Sequence, residues 1–154
     1  MKYFGTDGIR GIVGKKINDS LIKKLGKAIV CYLKKNYLPK KIVIGSDTRL
    51  TCHHIFAVLS SVLLKYGVET HNIGICSSPC LAFVTRKNNF PLGLMISASH
   101  NPKEYNGLKF FNTDGEKVAD EVESEIEWFM DNAGTQKISY AKNINCTQLK
   151  DDYI

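Results

Sequence analysis

The sequence predicts an α/β domain of three layers, α/β/α, built on a mixed and mostly parallel sheet. Four stretches carry apolar residues at helical spacing. Short apolar, β-branched runs lie between them, one element following another along the chain. Helices alternating with buried strands are the pattern of a sheet covered on both faces.

The first helix is expected over about 19–36, where Leu21, Ile22, Leu25, Ala28, Ile29, Tyr32 and Leu33 form one stripe behind the capping candidates Asn18, Asp19 and Ser20. Pro39 separates it from Lys41-Ile42-Val43-Ile44-Gly45, a short run that reads as a buried strand. A second helix fits 51–66 on Ile55, Phe56, Leu59, Val62, Leu63 and Tyr66, with Gly67 as its C-terminal cap. A strand over 68–73 follows, and then a third helix from Pro79 to about Asn88. The next strand, 92–98, is the central one. Leu108–Phe111 reads as another, and the Asn106-Gly107 pair before it reads as a turn that could fold it back antiparallel. Ala119, Val122, Ile126, Phe129 and Met130 mark a fourth helix, its first turns rich in acids, as the positive end of a helix favours. Tyr3 to Gly14 holds four glycines, and Gly5–Gly11 within it reads as a loop.

The 154 residues suffice for one domain with a real core, expected over 1–134. The pattern fades beyond Gly134, so 135–154 is expected to be a linker or the start of a connection to a second domain that this sequence lacks. No apolar run approaches the roughly 20 residues of a membrane span. The start lacks the apolar stretch of a signal peptide, so no membrane partner and a cytoplasmic location are expected. The net charge of +6 comes from lysine pairs such as Lys23-Lys24 and Lys34-Lys35 on or near one amphipathic helix. That distribution is a solvated face that could attract a small phosphorylated molecule, and no nucleic-acid partner is expected. Five cysteines with no C-x-x-C pair form neither a disulfide framework nor a recognisable zinc pattern.

Chemistry gathers after the central strand. Met95-Ile96 runs abruptly into Ser97-Ala98-Ser99-His100-Asn101-Pro102, followed by Asn106-Gly107-Leu108-Lys109. This sets a hydroxyl, an imidazole and an amide at a strand tip, where open α/β sheets bind ligands. A hydrolytic serine is disfavoured. The Gly-x-Ser-x-Gly elbow is missing, Lys109 is ten residues away, and adjacent strand residues point to opposite faces. A serine that carries a phosphoryl group needs surrounding cations instead, and Arg10, Lys109 and a protonated His100 are candidates. Asp47 and Arg49, after the first strand, are expected to be structural, capping the next helix or bracing the loop.

Three stretches in order, Phe4-Gly5-Thr6-Asp7-Gly8-Ile9-Arg10-Gly11, Ile44-Gly45-Ser46-Asp47-Thr48-Arg49 and Ser97–Pro102 with Asn106–Phe111, resemble the N-terminal domain (domain I) of the α-D-phosphohexomutases. Among these the resemblance is to members acting on glucosamine phosphates. Ser46 stands where arginine is usual, Cys76–Cys80 where Pro-Thr-Pro is frequent, and Tyr105 where an aspartate often precedes Asn-Gly. The resemblance implies a phosphohexomutase domain I fold with Ser99 as the phosphorylated serine. It implies Mg²⁺ bound through a phosphate oxygen on Ser99, with the other ligands in a missing domain. It places Arg10 and Lys109 near the phosphoserine, with Lys109 or His100 moving a proton. The implied partners are a hexosamine phosphate and the remaining domains of a longer enzyme that interconverts glucosamine 6-phosphate and glucosamine 1-phosphate. A mannose or glucose phosphate substrate, or a free-standing phosphate-binding or interaction module, stays open.

Overall fold

The computed structural model describes residues 1–133, the backbone of Asn143–Asn145, and Leu149 and Lys150. Its elements run β1 (Ile9–Ile12), α1 (Asp19–Lys35), β2 (Lys41–Ser46), α2 (Cys52–Lys65), β3 (Glu69–Ile75), α3 (Ser78–Lys87), β4 (Gly93–Ile96), β5 (Tyr105–Phe111), α4 (Asp120–Asn132) and β6 (Asn143–Asn145). They form one sheet in the order β1-β5-β4-β2-β3-β6. β2 pairs parallel with β3 and β4, and β3 with β6, while β5 is antiparallel to both β1 and β4. The mixed, mostly parallel sheet expected from the sequence is therefore present.

Strand residues alternate between two cores, as the two-residue period of a strand requires. Ile42, Ile44, Leu94, Ile96, Leu108 and Phe110 face the large cluster built with α1, α2 and α4. Val43, Met95 and Phe111 face the other side, against Leu81 and Val84 of α3. Both faces are covered, which explains why β2 and β4 read as near-continuous apolar runs. Local chemistry fixes the helix ends. Asn18 Oδ1 accepts from Leu21 N–H at 2.9 Å, Ser77 Oγ from Cys80 N–H at 3.2 Å, and Gly67 takes φ +81° after α2.

Two readings need correction. Part of the glycine-rich stretch is a strand, because Ile9–Ile12 pairs with β5 in the register Arg10↔Gly107. Four residues flanked by glycines are too short for their alternation to show in sequence. Asn106-Gly107 is not a turn but lies inside β5, paired with Gly11 and Arg10 of β1, while Gly107 C=O accepts Ser97 N–H at 3.0 Å on the other side. The reversal occurs earlier, through the turn in which Tyr105 N–H donates to Pro102 C=O at 3.0 Å. The expected 135–154 connection lies mostly outside the described residues. Within it, Asn143–Asn145 extends the sheet beside β3.

The connection from β2 through α2 leads to β3 on one side, and that from β3 through α3 returns across β2 to β4. β2 and β4 therefore border the topological switch point, and the crevice beyond their carboxyl ends is where such sheets place ligands. The Ser46–Arg49 and Ser97–Pro102 loops leave from those ends.

Candidate active site

The serine loop begins where β4 stops pairing, after Ile96. Ser99 has φ +56°, a left-handed conformation that costs a non-glycine residue about 1 kcal/mol or more. Its N–H donates to Ser97 Oγ at 2.9 Å, and the Ser97 hydroxyl donates in turn to Asp47 Oδ2 at 2.6 Å. Ser99 and His100 are both exposed, and Ser99 Oγ lies 3.3 Å from His100 Nδ1. Opposite-facing neighbours belong to extended strands, and the left-handed turn brings these two side chains together instead. Among the described residues no carboxylate is paired with His100, so nothing orients it as a base after the manner of a hydrolase triad.

Arg49 stands at the centre of the loop. Its Nη1 donates to the carbonyls of Pro102 (2.7 Å) and Tyr105 (3.0 Å), and its Nη2 to those of Ser99 (2.8 Å) and Asn101 (2.7 Å). Its Nε donates to Asp47 Oδ2 at 3.2 Å, while Asp47 Oδ1 accepts the Arg49 backbone N–H at 2.9 Å. Burial pushes the Asp47 carboxyl up, but hydrogen bonds from Ser97, Arg49 and Cys52 outweigh it and hold its pKa below the usual carboxylate value. Below this loop Asn106 is buried, donating to Thr51 Oγ1 at 2.8 Å and Cys52 Sγ at 3.3 Å. Burial raises the Cys52 thiol to about 11, so it is an inert packing group.

Arg10 arrives from β1. It crosses Gly107, where an added Cβ would sit 2.9 Å from Arg10 Cγ, 2.7 Å from Ile9 C=O and 2.8 Å from Ser97 C=O. Only glycine lets β1 and the serine loop approach β5 this closely. Arg10 Nη1 donates to Asn101 Oδ1 at 3.1 Å, tying it to the serine loop, and Arg10 Nε is buried without a partner. Arg10 Nη2 pairs with Asp7 Oδ2 at 2.5 Å, and Lys109 Nζ with Asp7 Oδ1 at 3.0 Å. Asp7 thus joins two cations drawn from strands β1 and β5. Burial opposes its charge, yet the Lys109 hydrogen bond and the charges of Lys109 and Arg10 leave its pKa lowered.

All four site residues expected from sequence fall on one side of the sheet's carboxyl edge. Ser99 and His100 touch, Arg10 reaches their loop through Asn101, and Lys109 joins Arg10 through Asp7. Sequence reading gives Asp7 no role, although its three-residue spacing from Arg10 is a usable signal. It reads Asp47 and Arg49 as braces, and the hydrogen bonds agree. Among the described residues no group of three or more His, Cys, Asp or Glu could hold a metal ion. Asp7 and Asp47, the acids bonded to the site's arginines, are both committed to cations, so these two do not build a Mg²⁺ site by themselves.

Fold and site together define a domain that presents an exposed serine on a clamped turn, with an arginine bonded to the same loop, at the switch point of a doubly wound sheet. Residues 1–137 match the family described as phosphoglucomutase/phosphomannomutase, alpha/beta/alpha domain I, and the chain belongs to that family. It is 38% identical over 157 residues to the phosphoglucosamine mutase of Caldicellulosiruptor bescii, covering 99% of this chain and 35% of that protein. It is 44% identical over 130 residues to that of Finegoldia magna, covering 84% and 29%. The chain thus spans about a third of the length of these curated relatives. A Thermus thermophilus structure ascribed to the phosphomannomutases superposes with a TM-score of 0.81 at 27% identity, covering 92% of this chain and 32% of that one. A Paramecium phosphoglucomutase, parafusin, shares the fold with a TM-score of 0.72 at 23% identity, covering 86% and 26%. No described helix is long and apolar enough to cross a membrane.

Proposed function

We propose that this chain is the first domain of a phosphoglucosamine mutase, which interconverts glucosamine 6-phosphate and glucosamine 1-phosphate through a phosphoserine at Ser99. The observation that carries the reading is Ser99 itself. Its hydroxyl is exposed at a left-handed turn whose backbone is held on both sides, and Arg10 is bonded to the same loop. The names of the relatives, 38–44% identical, support glucosamine phosphate as the substrate over the mannose and glucose phosphates.

In this reading a substrate hydroxyl attacks the phosphorus on Ser99. The new P–O bond forms as the Ser99 Oγ–P bond breaks, the substrate hydroxyl loses its proton to a base, and Ser99 Oγ regains one. The sugar bisphosphate then turns and returns its other phosphoryl group to Ser99. Phosphoryl transfer is mostly positioning and charge stabilisation, and the residues here serve both. Arg10 neutralises equatorial oxygens, while Lys109 or His100 carries the proton. Mg²⁺ would bind a phosphate oxygen on Ser99 and draw its carboxylate ligands from the remaining domains, since the described residues gather no cluster of metal-ligating side chains. The isolated 154-residue chain is accordingly inactive.

The test is turnover of glucosamine, mannose and glucose phosphates by the full-length protein. The glucosamine substrate should be preferred. Ser99→Ala should fall below about 10⁻³ of wild-type kcat, as loss of a covalent group does. Normal turnover by Ser99→Ala would sink the proposal.

A further inference from the structure

We infer that Arg49 is the positioning residue of the serine loop, acting with Asp47 as one unit that grips the Ser99 backbone from both sides. The inference rests on the proposed phosphoserine chemistry and adds to it a residue that touches no reacting atom.

A guanidinium has five N–H donors in a fixed plane. Arg49 uses each on a different contact. Nε goes to Asp47, two Nη1 bonds go to Pro102 and Tyr105, and two Nη2 bonds go to Ser99 and Asn101. All the Nη acceptors are main-chain carbonyls, spread across the whole turn. The arginine is therefore the template on which residues 99–105 are wound. A plain brace would hold one point of a loop, and this one holds several.

The grip converges on Ser99. Its carbonyl is bonded to Arg49, and its N–H is bonded to Ser97 Oγ, whose own proton goes to Asp47 Oδ2. Both polar groups of the Ser99 main chain thus lead to the same ion pair, one directly and one through a single hydroxyl. A non-glycine residue at φ +56° persists only when its surroundings over-determine it. Asp47 and Arg49 provide that. They leave β2 together, and Arg49 N–H and Cys52 Sγ fix Asp47 Oδ1 at 2.9 and 3.3 Å. The ion pair is also anchored outside the turn that it shapes, through Cys52 of α2 and through the Asp47 N–H, which donates to Ile96 C=O of β4 at 3.1 Å.

In the proposed cycle Ser99 gives up one phosphoryl group and receives another while the sugar turns between the two steps. The loop must hold its shape with either partner, so its geometry has to come from the protein. Misplacement of a reacting group by about 1 Å can lower a rate about 10²-fold. Lysine cannot substitute, because a point charge on a flexible stem offers no planar fork.

The test uses the full-length protein. Arg49→Lys and Arg49→Ala should each lose about 100-fold in kcat with KM within about threefold, and phosphoryl uptake by Ser99 from glucosamine bisphosphate should slow in parallel. Added guanidinium ion should restore part of the Arg49→Ala activity and none of the Arg49→Lys activity. Ser97→Ala deletes only the relay hydroxyl and guards against loss of folding in the arginine variants. It should lose about tenfold in kcat with an unchanged melting temperature. Wild-type kcat in Arg49→Lys or in folded Ser97→Ala overturns the inference. If the wild-type protein shows no mutase turnover, the functional proposal falls separately. Amide hydrogen exchange over 99–105 then decides the clamp: faster exchange in Arg49→Lys upholds it, and unchanged exchange removes it.

Discussion

Asp7 illustrates what a single residue does here. Its carboxylate lies between Arg10 Nη2 and Lys109 Nζ, at 2.5 and 3.0 Å, and so occupies both cations. A negative charge this close lowers the local potential, so removing it should strengthen anion binding. Two unit charges at about 4 Å interact by about 1 kcal/mol in water. Asp7→Asn should therefore tighten binding of inorganic phosphate about three- to tenfold, with the gain shrinking as salt is added. Phosphate titration followed by ³¹P NMR measures it, and equal or weaker binding contradicts the competition. Ser99, Arg10 and Lys109 stand out as candidates in the sequence because each lies in a short, chemically unusual stretch. The use of Asp7 is not visible there, since its second partner lies about a hundred positions away and only the β1–β5 register brings Lys109 to it.

Elements carry the site into register. β5 does so at Asn106 and Gly107, with Asn106 buried against Thr51 and Cys52 and Gly107 pressed between Ile9, Ser97 and Arg10. Gly107→Ala would push a methyl group against two main-chain carbonyls at 2.7 and 2.8 Å, which no side-chain rotation relieves. Overpacking of this kind costs about 1–3 kcal/mol. The variant should lose that much in denaturant unfolding and lose activity beyond what its stability explains, because β1 carries Arg10. α4 anchors the other end of the same stretch. Glu127 accepts the N–H groups of Lys2, Tyr3 and Phe4 at 2.9, 2.5 and 2.6 Å, leading the chain into the glycine-rich loop. Glu127→Ala should cost about 1.5–3 kcal/mol, the range for hydrogen bonds to a charged group, and a shift under about 0.5 kcal/mol would contradict it. The four helices are readable from their apolar period, β2 from its β-branched run and β4 from its apolar one. β1 and the first half of β5 are not. Their identity is set by pairing, and a local reading of Asn-Gly favours a turn that tertiary contacts override.

At the scale of the molecule, the sheet separates a large core under α1, α2 and α4 from a small one under α3, and its charges respond to pH in opposite senses on the two sides of the acid range. Glu123 is buried at the start of α4 without a hydrogen bond, with Lys117 Nζ 3.5 Å away, and its burial raises its pKa above the ordinary 4.5 despite that lysine. Raised in the folded state, it binds a proton more readily there than in the unfolded chain. Its burden is absent below about pH 4.5 and grows as pH rises from there through the folded value. Asp47 behaves in reverse. Its folded pKa lies below the ordinary 3.8, so its stabilisation is complete above that value and lost as pH falls through the folded one. Two variants separate these limbs. Glu123→Gln should be more stable than wild type at pH 7 by about 1 kcal/mol or more, the scale of desolvating a buried polar group that its lysine only partly offsets, and this advantage should vanish below about pH 4.5. Asp47→Asn should be less stable than wild type at pH 7, with the deficit closing only in stronger acid. Denaturant unfolding of the three proteins between about pH 2 and pH 7 gives both difference curves. A Glu123→Gln curve that is flat, or that rises toward acid, would mean the carboxylate is not strained by its burial. The large core would then tolerate a charge that its apolar surroundings give every reason to expel.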